Sequence, residues 1–104
     1  MNVRLKKVTI IAESLLRPQL LKLLASHGVT GHTITLAEGR GSRGVRASEW
    51  EGRNIQIDTL VGESTAAALM HDIAERFFDH YAVIAYSADV EVLRGDKFVP
   101  PGDA

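Results

Sequence analysis

Apolar and polar residues repeat along this chain in two different periods, and the switches between them mark out its elements. Val3, Leu5, Val8, Ile10 and Ile11 form a β-branched stretch that is apolar on both faces by its end. Val3 to Ala12 therefore reads as a strand in the middle of a sheet. The period then lengthens. Leu16, Leu20, Leu23, Leu24 and His27 stand at i, i+4, i+7, i+8 and i+11, one stripe of a helix. Ser14 offers an N-cap and Pro18 suits a first turn, so this helix starts between 14 and 18, and Gly28 ends it. Gly31 to Glu38 returns to alternation, with Thr33 and Thr35 against Ile34 and Leu36, a strand with one covered face. Asn54 to Val61 is a third strand, with Ile55, Ile57, Thr59 and Val61 on one face.

Gly62-Glu-Ser-Thr opens a second helix with Ser64 or Thr65 as cap. Its stripe is Ala66, Leu69, Met70, Ile73 and Phe77, widened by Ala67 and Phe78. His71, Asp72, Glu75, Arg76 and Asp79 are expected to face water, with Asp72 and Arg76 as a weak i,i+4 pair. Tyr81 to Ser87 reads as a fourth strand, Val90 to Arg94 as a short edge segment, and Lys97 to Ala104 as a tail.

The order is β-α-β-β-α-β: an α+β, ferredoxin-like antiparallel sheet with both helices on one face, the second and third strands pairing as a hairpin. Such a sheet leaves one face open. Ile10, Ile57 and Val83, or their neighbours, are not all expected to fit beneath two helices. A small protein rarely exposes a broad apolar patch. The expectation is a closed homo-oligomer with its sheets facing inward, most simply a trimer.

Composition narrows the function. The chain has 104 residues, 45% apolar and 24% charged, with a formal net charge of −1, which suits one folded domain and not a general nucleic-acid binder. No cysteine is present, so disulfides, Fe–S clusters and thiol nucleophiles drop out. No apolar run approaches the ~18 residues of a membrane span, and Glu13 comes too soon for a signal peptide, so a cytoplasmic location is expected.

The segment Gly39 to Arg53 stands apart, with four Gly, two Ser, one Trp, and four Arg against Glu49 and Glu51, a net of +2. Gly lets backbone N–H groups converge on one point, and Arg adds planar donors that match phosphate or carboxylate oxygens. The segment reads either as a loop that closes over an anion or as a solvated loop. Gly39 to Gly44 spells G-x-G-x-x-G but opens no helix, so it is not a dinucleotide fingerprint, and no Gly-Lys-Ser/Thr follows it. His27, His32, His71 and His80 form no H-x-x-x-H pair. His32 lies beside the loop, and His27 suits a helix C-terminus. No nucleophile–base arrangement stands out, and the aromatics do not follow an RNA-binding pattern.

Gly28-Val-Thr-Gly-His-Thr-Ile-Thr, the Gly/Arg loop inside a hairpin, and the βαββαβ order together resemble the PII superfamily of signalling proteins. Gly39 to Arg46, with Val90-Glu-Val-Leu-Arg94, is similar to the PII-like branch of SbtB and the carboxysome-associated PII proteins. The resemblance covers nearly all of the chain and implies one PII-like domain, 1–104, with a flexible T-loop at about 39–54 and a C-terminal tail at about 95–104. It further implies a homotrimer, not an enzyme, that binds adenine nucleotides in clefts between subunits. ADP or AMP is favoured, because only Asp79-His80 stands where classical members carry a Gly-rich, Lys-containing loop for a triphosphate. ATP, cyclic AMP and bicarbonate are further ligands to test, with no resident cofactor or metal.

By the same resemblance Gly31 and Thr33 approach the adenine, and the backbone of Leu60 reads its edge. Gly39, Gly41 and Ser42 lie near ribose and phosphate. Arg43 and Arg46 hold phosphate or bicarbonate, and Arg94 adds a basic group. The T-loop would dock on a membrane bicarbonate transporter or another carbon-metabolism target, with Trp50 as an anchor or folded back. The implied role is regulation of inorganic-carbon uptake or carboxysome-linked metabolism. A metal-tolerance trimer of similar fold, or a small enzyme acting on an anionic substrate, are the rival readings.

Overall fold

The computed structural model describes residues 2–39 and 53–93. Strand β1 (Asn2–Glu13) leads through a 3₁₀ turn (Ser14–Leu16) into helix α1 (Arg17–Ser26); then come β2 (Thr33–Ala37), β3 (Asn54–Val61), helix α2 (Glu63–Phe77) and β4 (Ile84–Leu93). The sheet order is β2-β3-β1-β4 with every neighbour antiparallel. This is the ferredoxin-like arrangement, and β2 and β3 pair as expected, Thr33 opposite Asp58 through Ala37 opposite Asn54.

Register decides which face is the core. Val8, Ile10 and Ala12 of β1 stand opposite Thr59, Ile57 and Ile55 of β3. The apolar members of these pairs form one buried cluster with Leu16, Leu20, Leu23 and Leu24 from the first helical region and Ala66, Leu69, Ile73 and Phe77 from α2. Both helices thus cover the same side. Of the apolar strand residues not all expected to fit beneath the helices, Ile10 and Ile57 lie fully within the helix-covered core and Val83 packs against it, while their neighbours Ile11, Ile84 and Tyr86 fall on the open face. The helices need cover only alternate residues of each strand. The opposite parity carries a mixed face instead: Lys7, Thr9, Ile11, Gln56, Asp58 and Leu60, with Ile84 and Tyr86 well exposed.

The first helix ends as Gly28 predicts. Gly28 has φ +77°, its N–H donates to the Ala25 carbonyl at 3.0 Å, and the Val29 N–H donates to the Leu24 carbonyl at 3.0 Å. That is a Schellman closure, with Val29 folded onto the core beside Leu24. Helix starts differ from expectation. Ser14 does not cap α1; its hydroxyl and its N–H both donate to the Arg53 carbonyl, tying the end of β1 to the entry of β3. Gly62, not Ser64 or Thr65, stands at the N-cap of α2.

Two further expectations change. Phe78 and Ala67 are exposed, because the buried stripe of α2 is narrower than the run of apolar letters. The fourth strand and the edge segment are one continuous β4. Its register with β1 runs unbroken from Ile84 opposite Ile11 to Leu93 opposite Asn2. The polar Ser87-Ala88-Asp89, which suggests a break, is accommodated because Asp89 lies opposite Lys6 and pairs with it at 2.7 Å. Tyr81 to Val83 form the turn before it, with the Tyr81 N–H on the Phe77 carbonyl at 2.9 Å and the two rings 6.0 Å apart.

Candidate functional site

Four of the residues singled out from the sequence lie in the described part of the chain, and they fall into two groups. Thr33 opens β2 opposite Asp58. Continuing that register by two residues sets Gly31 opposite Leu60, and the contact is made: the Thr59 hydroxyl donates to the Gly31 carbonyl at 2.6 Å. Gly31, Thr33 and Leu60 therefore gather at one end of the β2–β3 pair. Gly31 and Thr33 are exposed, and Leu60 is half-buried on the face away from the helices.

Gly39 lies at the other end, just past Ala37, where its α-carbon faces the Asn54 side chain; a Cβ built there would meet Asn54 Nδ2 at an ordinary 3.9 Å. From Thr33 to Ala37 is the whole length of β2, four steps or ~13 Å at the usual strand rise, and Gly39 lies two residues beyond it. The structure does not bring Gly39 together with the first group within one protomer. Gly41, Ser42, Arg43, Arg46 and Arg94 lie outside the described residues, as does Trp50.

The segment leading into the first group is held at three points. The Schellman turn fixes Gly28 and Val29, the Thr59 hydroxyl fixes Gly31, and the β2–β3 ladder begins at Thr33. Thr59 is legible from sequence as a strand residue but not as part of this arrangement. Its signal is a lone hydroxyl in the apolar face Ile55, Ile57, Thr59, Val61. A buried hydroxyl is costly without a partner, so it must reach one.

Polar clusters flank this end on both sides of the sheet. On the open face Asp58 accepts from Thr9 Oγ1 at 2.7 Å and from Gln56 Nε2 at 3.1 Å, with Lys7 Nζ at 3.9 Å. On the helix side His27 Nε2 lies 2.9 Å from Asp72 Oδ2, and Arg76 Nε donates to Asp72 Oδ1 at 3.2 Å. Asp72, expected to face water with Arg76 alone, is instead half-buried and joins the C-terminus of α1 to α2. The His27 hydrogen bond, with Arg76 adding to it, holds the Asp72 carboxyl below the usual aspartate range. At the Lys6–Asp89 pair the shared hydrogen bond raises the lysine and lowers the carboxyl.

Among the described residues no group of three or more His, Cys, Asp or Glu stands close enough to hold a metal ion. No helix among them is long and apolar enough to cross a membrane. The described residues offer backbone groups and hydroxyls at one strand end, and the chain enters the Gly/Arg segment from the other.

Two helices over a β2-β3-β1-β4 sheet place the chain in the ferredoxin-like class of α+β domains. Within that class it belongs to the nitrogen regulatory protein P-II family, whose sequence profile matches residues 5–97, and it is a PII-like signalling protein. A protein from Thermus thermophilus described as PII-like signaling is 49% identical, with a TM-score of 0.82 over 94% of this chain and 98% of that one. CPII from Thiomonas intermedia, bound to ADP, AMP and acetate, is 28% identical, with a TM-score of 0.82 over 96% and 99%. The same protein bound to ADP and bicarbonate gives 29% identity and a TM-score of 0.81 over 94% and 97%.

Proposed function

We propose that this chain is a nucleotide-sensing regulator, and not a catalyst, that binds ADP or AMP in clefts between the protomers of a homotrimer. The observation that carries the reading is the division of the site. Gly31, Thr33 and Leu60 sit at one end of the β2–β3 pair and Gly39 at the other. Two groups so far apart cannot line one cleft of a single protomer, whereas adjacent copies can bring opposite ends together. The open sheet face, with Ile84 and Tyr86 exposed in the single chain, is the surface such an assembly would cover.

In this reading the backbone near Gly31 and Leu60, together with Thr33, meets the base. Gly39, Gly41 and Ser42 meet ribose and phosphate. Arg43 and Arg46 grip the phosphates, and Arg94 contributes a further positive charge. Guanidinium forks suit that task because they pair two oxygens at once. Bicarbonate, planar where phosphate is tetrahedral, also offers a pair of oxygens to a guanidinium, and Arg43 and Arg46 are its proposed partners too. The similarity to CPII, which binds ADP, AMP and bicarbonate, supports both ligand classes. ATP and cyclic AMP are the weaker candidates.

The T-loop, about 39–54, is the proposed effector element of the single domain, 1–104, with 95–104 as its tail. A nucleotide that binds one loop arrangement better than another shifts the population by that difference in affinity, about tenfold for each 1.4 kcal/mol. The proposed target is a carbon-metabolism protein, a membrane bicarbonate transporter foremost, met from the cytoplasm. The test is calorimetry with AMP, ADP, ATP and cyclic AMP, with and without bicarbonate. Saturation by ADP or AMP at one nucleotide per protomer supports the reading, and absence of binding by all four contradicts it.

A further inference from the structure

Thr9 and Thr59 are the buried polar residues among those described, and they differ in what their hydroxyls reach. The Thr9 hydroxyl serves a carboxylate on its neighbouring strand, Asp58. The Thr59 hydroxyl instead crosses to a main-chain carbonyl beyond the end of the β2–β3 ladder, that of Gly31 at 2.6 Å. Side chains within a sheet need no such bond to keep register. Here the ladder begins only at Thr33, so the hydroxyl continues on the β3 side what the backbone pairing leaves off.

Holding that carbonyl fixes more than one atom. The peptide unit is planar and trans, so its C=O and the following N–H point in opposite directions. With the Gly31 carbonyl drawn toward the Thr59 hydroxyl on the helix-covered side of β3, the His32 N–H is directed away from that hydroxyl, on the opposite side of the peptide. Without the hydroxyl, Gly31 has no side chain to restrict it, a Cβ there would meet nothing within 4 Å, and the peptide could turn. The nearest fixed points would be Val29 in the Schellman turn and Thr33 in the ladder.

We propose that Thr59 is a positioning residue for the nucleotide's base: its buried hydroxyl holds the Gly31–His32 peptide in the one orientation that presents a backbone donor to the adenine. The proposal rests on the nucleotide-binding reading given above and adds to it a residue that touches no ligand. The structural consequence is selective. Thr59 governs the base end of the site, while the phosphate end is assigned to Gly39 and the Arg residues, at the far end of β2.

The test uses the full chain with Thr59→Val, which keeps the β-branched shape and removes the hydroxyl, and Thr59→Ser, which keeps the hydroxyl. Three quantities are read: the backbone amide order parameters of His32 and Thr33 without ligand, ADP affinity, and affinity for inorganic pyrophosphate as an anion without a base. Thr59→Val should lower the His32 backbone amide order parameter, the sign of a peptide freed to turn. It should weaken ADP by about five- to tenfold, the worth of one neutral hydrogen bond. Pyrophosphate binding should stay as in the wild type, and Thr59→Ser should restore ADP binding to within about twofold on the same reasoning. A merely structural role would move thermal stability or both ligands alike. Unchanged ADP binding in Thr59→Val, or equal loss of ADP and pyrophosphate, overturns the inference while the wild type still binds. A wild type that binds no nucleotide overturns the underlying reading instead, and the His32 order parameter then judges the staple by itself.

Discussion

Phe77 and Phe78 are the same residue side by side near the end of α2, and the structure assigns them opposite fates. Phe77 is 4% exposed, seated in the core cluster with its ring 6.0 Å from that of Tyr81. Phe78 is 46% exposed. Truncation of a buried Phe to Ala costs ~3–5 kcal/mol, since transfer from water and the unfilled space add together. Losing the Tyr81 ring contact contributes ~0.5–1.5 kcal/mol within that total. Phe78 has only about half its surface to lose and leaves no enclosed void, so Phe78→Ala should cost ~1 kcal/mol. The expected contrast is thus ~3 kcal/mol between adjacent, chemically identical substitutions. Urea unfolding followed by far-ultraviolet circular dichroism measures it, with the m-value checking that both variants unfold from the same compact state. Equal losses for the two variants, or the larger loss at Phe78, would mean that α2 is rotated from the phase described, and the core assignment would fall with it.

Other outcomes follow from single features. Gly28→Ala meets open space but forces φ +77° on a residue with a Cβ, so it should cost ~1–2 kcal/mol in unfolding free energy through conformation alone. Asp72→Asn should change the pH dependence of stability. The folded-state carboxyl titrates below its unfolded value, so the charged group stabilises the fold above the usual aspartate range, and that share is lost as pH falls through the lowered folded value. The gap between wild type and Asp72→Asn in thermal unfolding should therefore be present near neutral pH and close in acid below the aspartate range. A gap that widened in acid would refute the His27–Asp72 tie.

Much of this fold is legible in the sequence because β3 and the two helices carry clean periods. Ile55, Ile57, Thr59 and Val61 mark β3, Asn54–Val61, and its buried face. The leucines of α1 and the stripe of α2 mark the layers. The misreadings come where letters depend on distant partners. Ser87-Ala88-Asp89 looks like a break until Lys6 is set opposite Asp89. Asp72 looks like a solvated charge until His27, 45 residues earlier, reaches it. Ser14 looks like a cap until Arg53 supplies an acceptor. Which apolar strand residues fall on the open face, Ile11, Ile84 and Tyr86 and not Ile10 or Ile57, is set by register across β1, β3 and β4, which hydropathy alone does not give.

The site is legible to a lesser degree. Gly31, Thr33, Gly39 and Leu60 are named through resemblance to a family, and the structure adds their grouping at two strand ends. Thr59 escapes because nothing in its own neighbourhood of sequence names a partner 28 residues away. Arg43 and Arg46 are read from charge, shape and that same resemblance, and they lie outside the described residues.

A site shared between copies has a consequence that no single-chain site has. Thr33→Trp should block the base end of the cleft, and Arg43→Ala with Arg46→Ala should empty the phosphate end. Each variant alone should bind ADP at least about tenfold more weakly than the wild type, given the worth of charged contacts. Coexpressed and purified as mixed assemblies, the two should regain wild-type affinity in a fraction of their sites, those where an intact end of one chain meets the intact end of the other. Calorimetry on the mixture measures that fraction directly. High-affinity ADP binding that appears only in the mixture is the predicted result; a mixture no better than its two components would contradict a cleft built from two protomers.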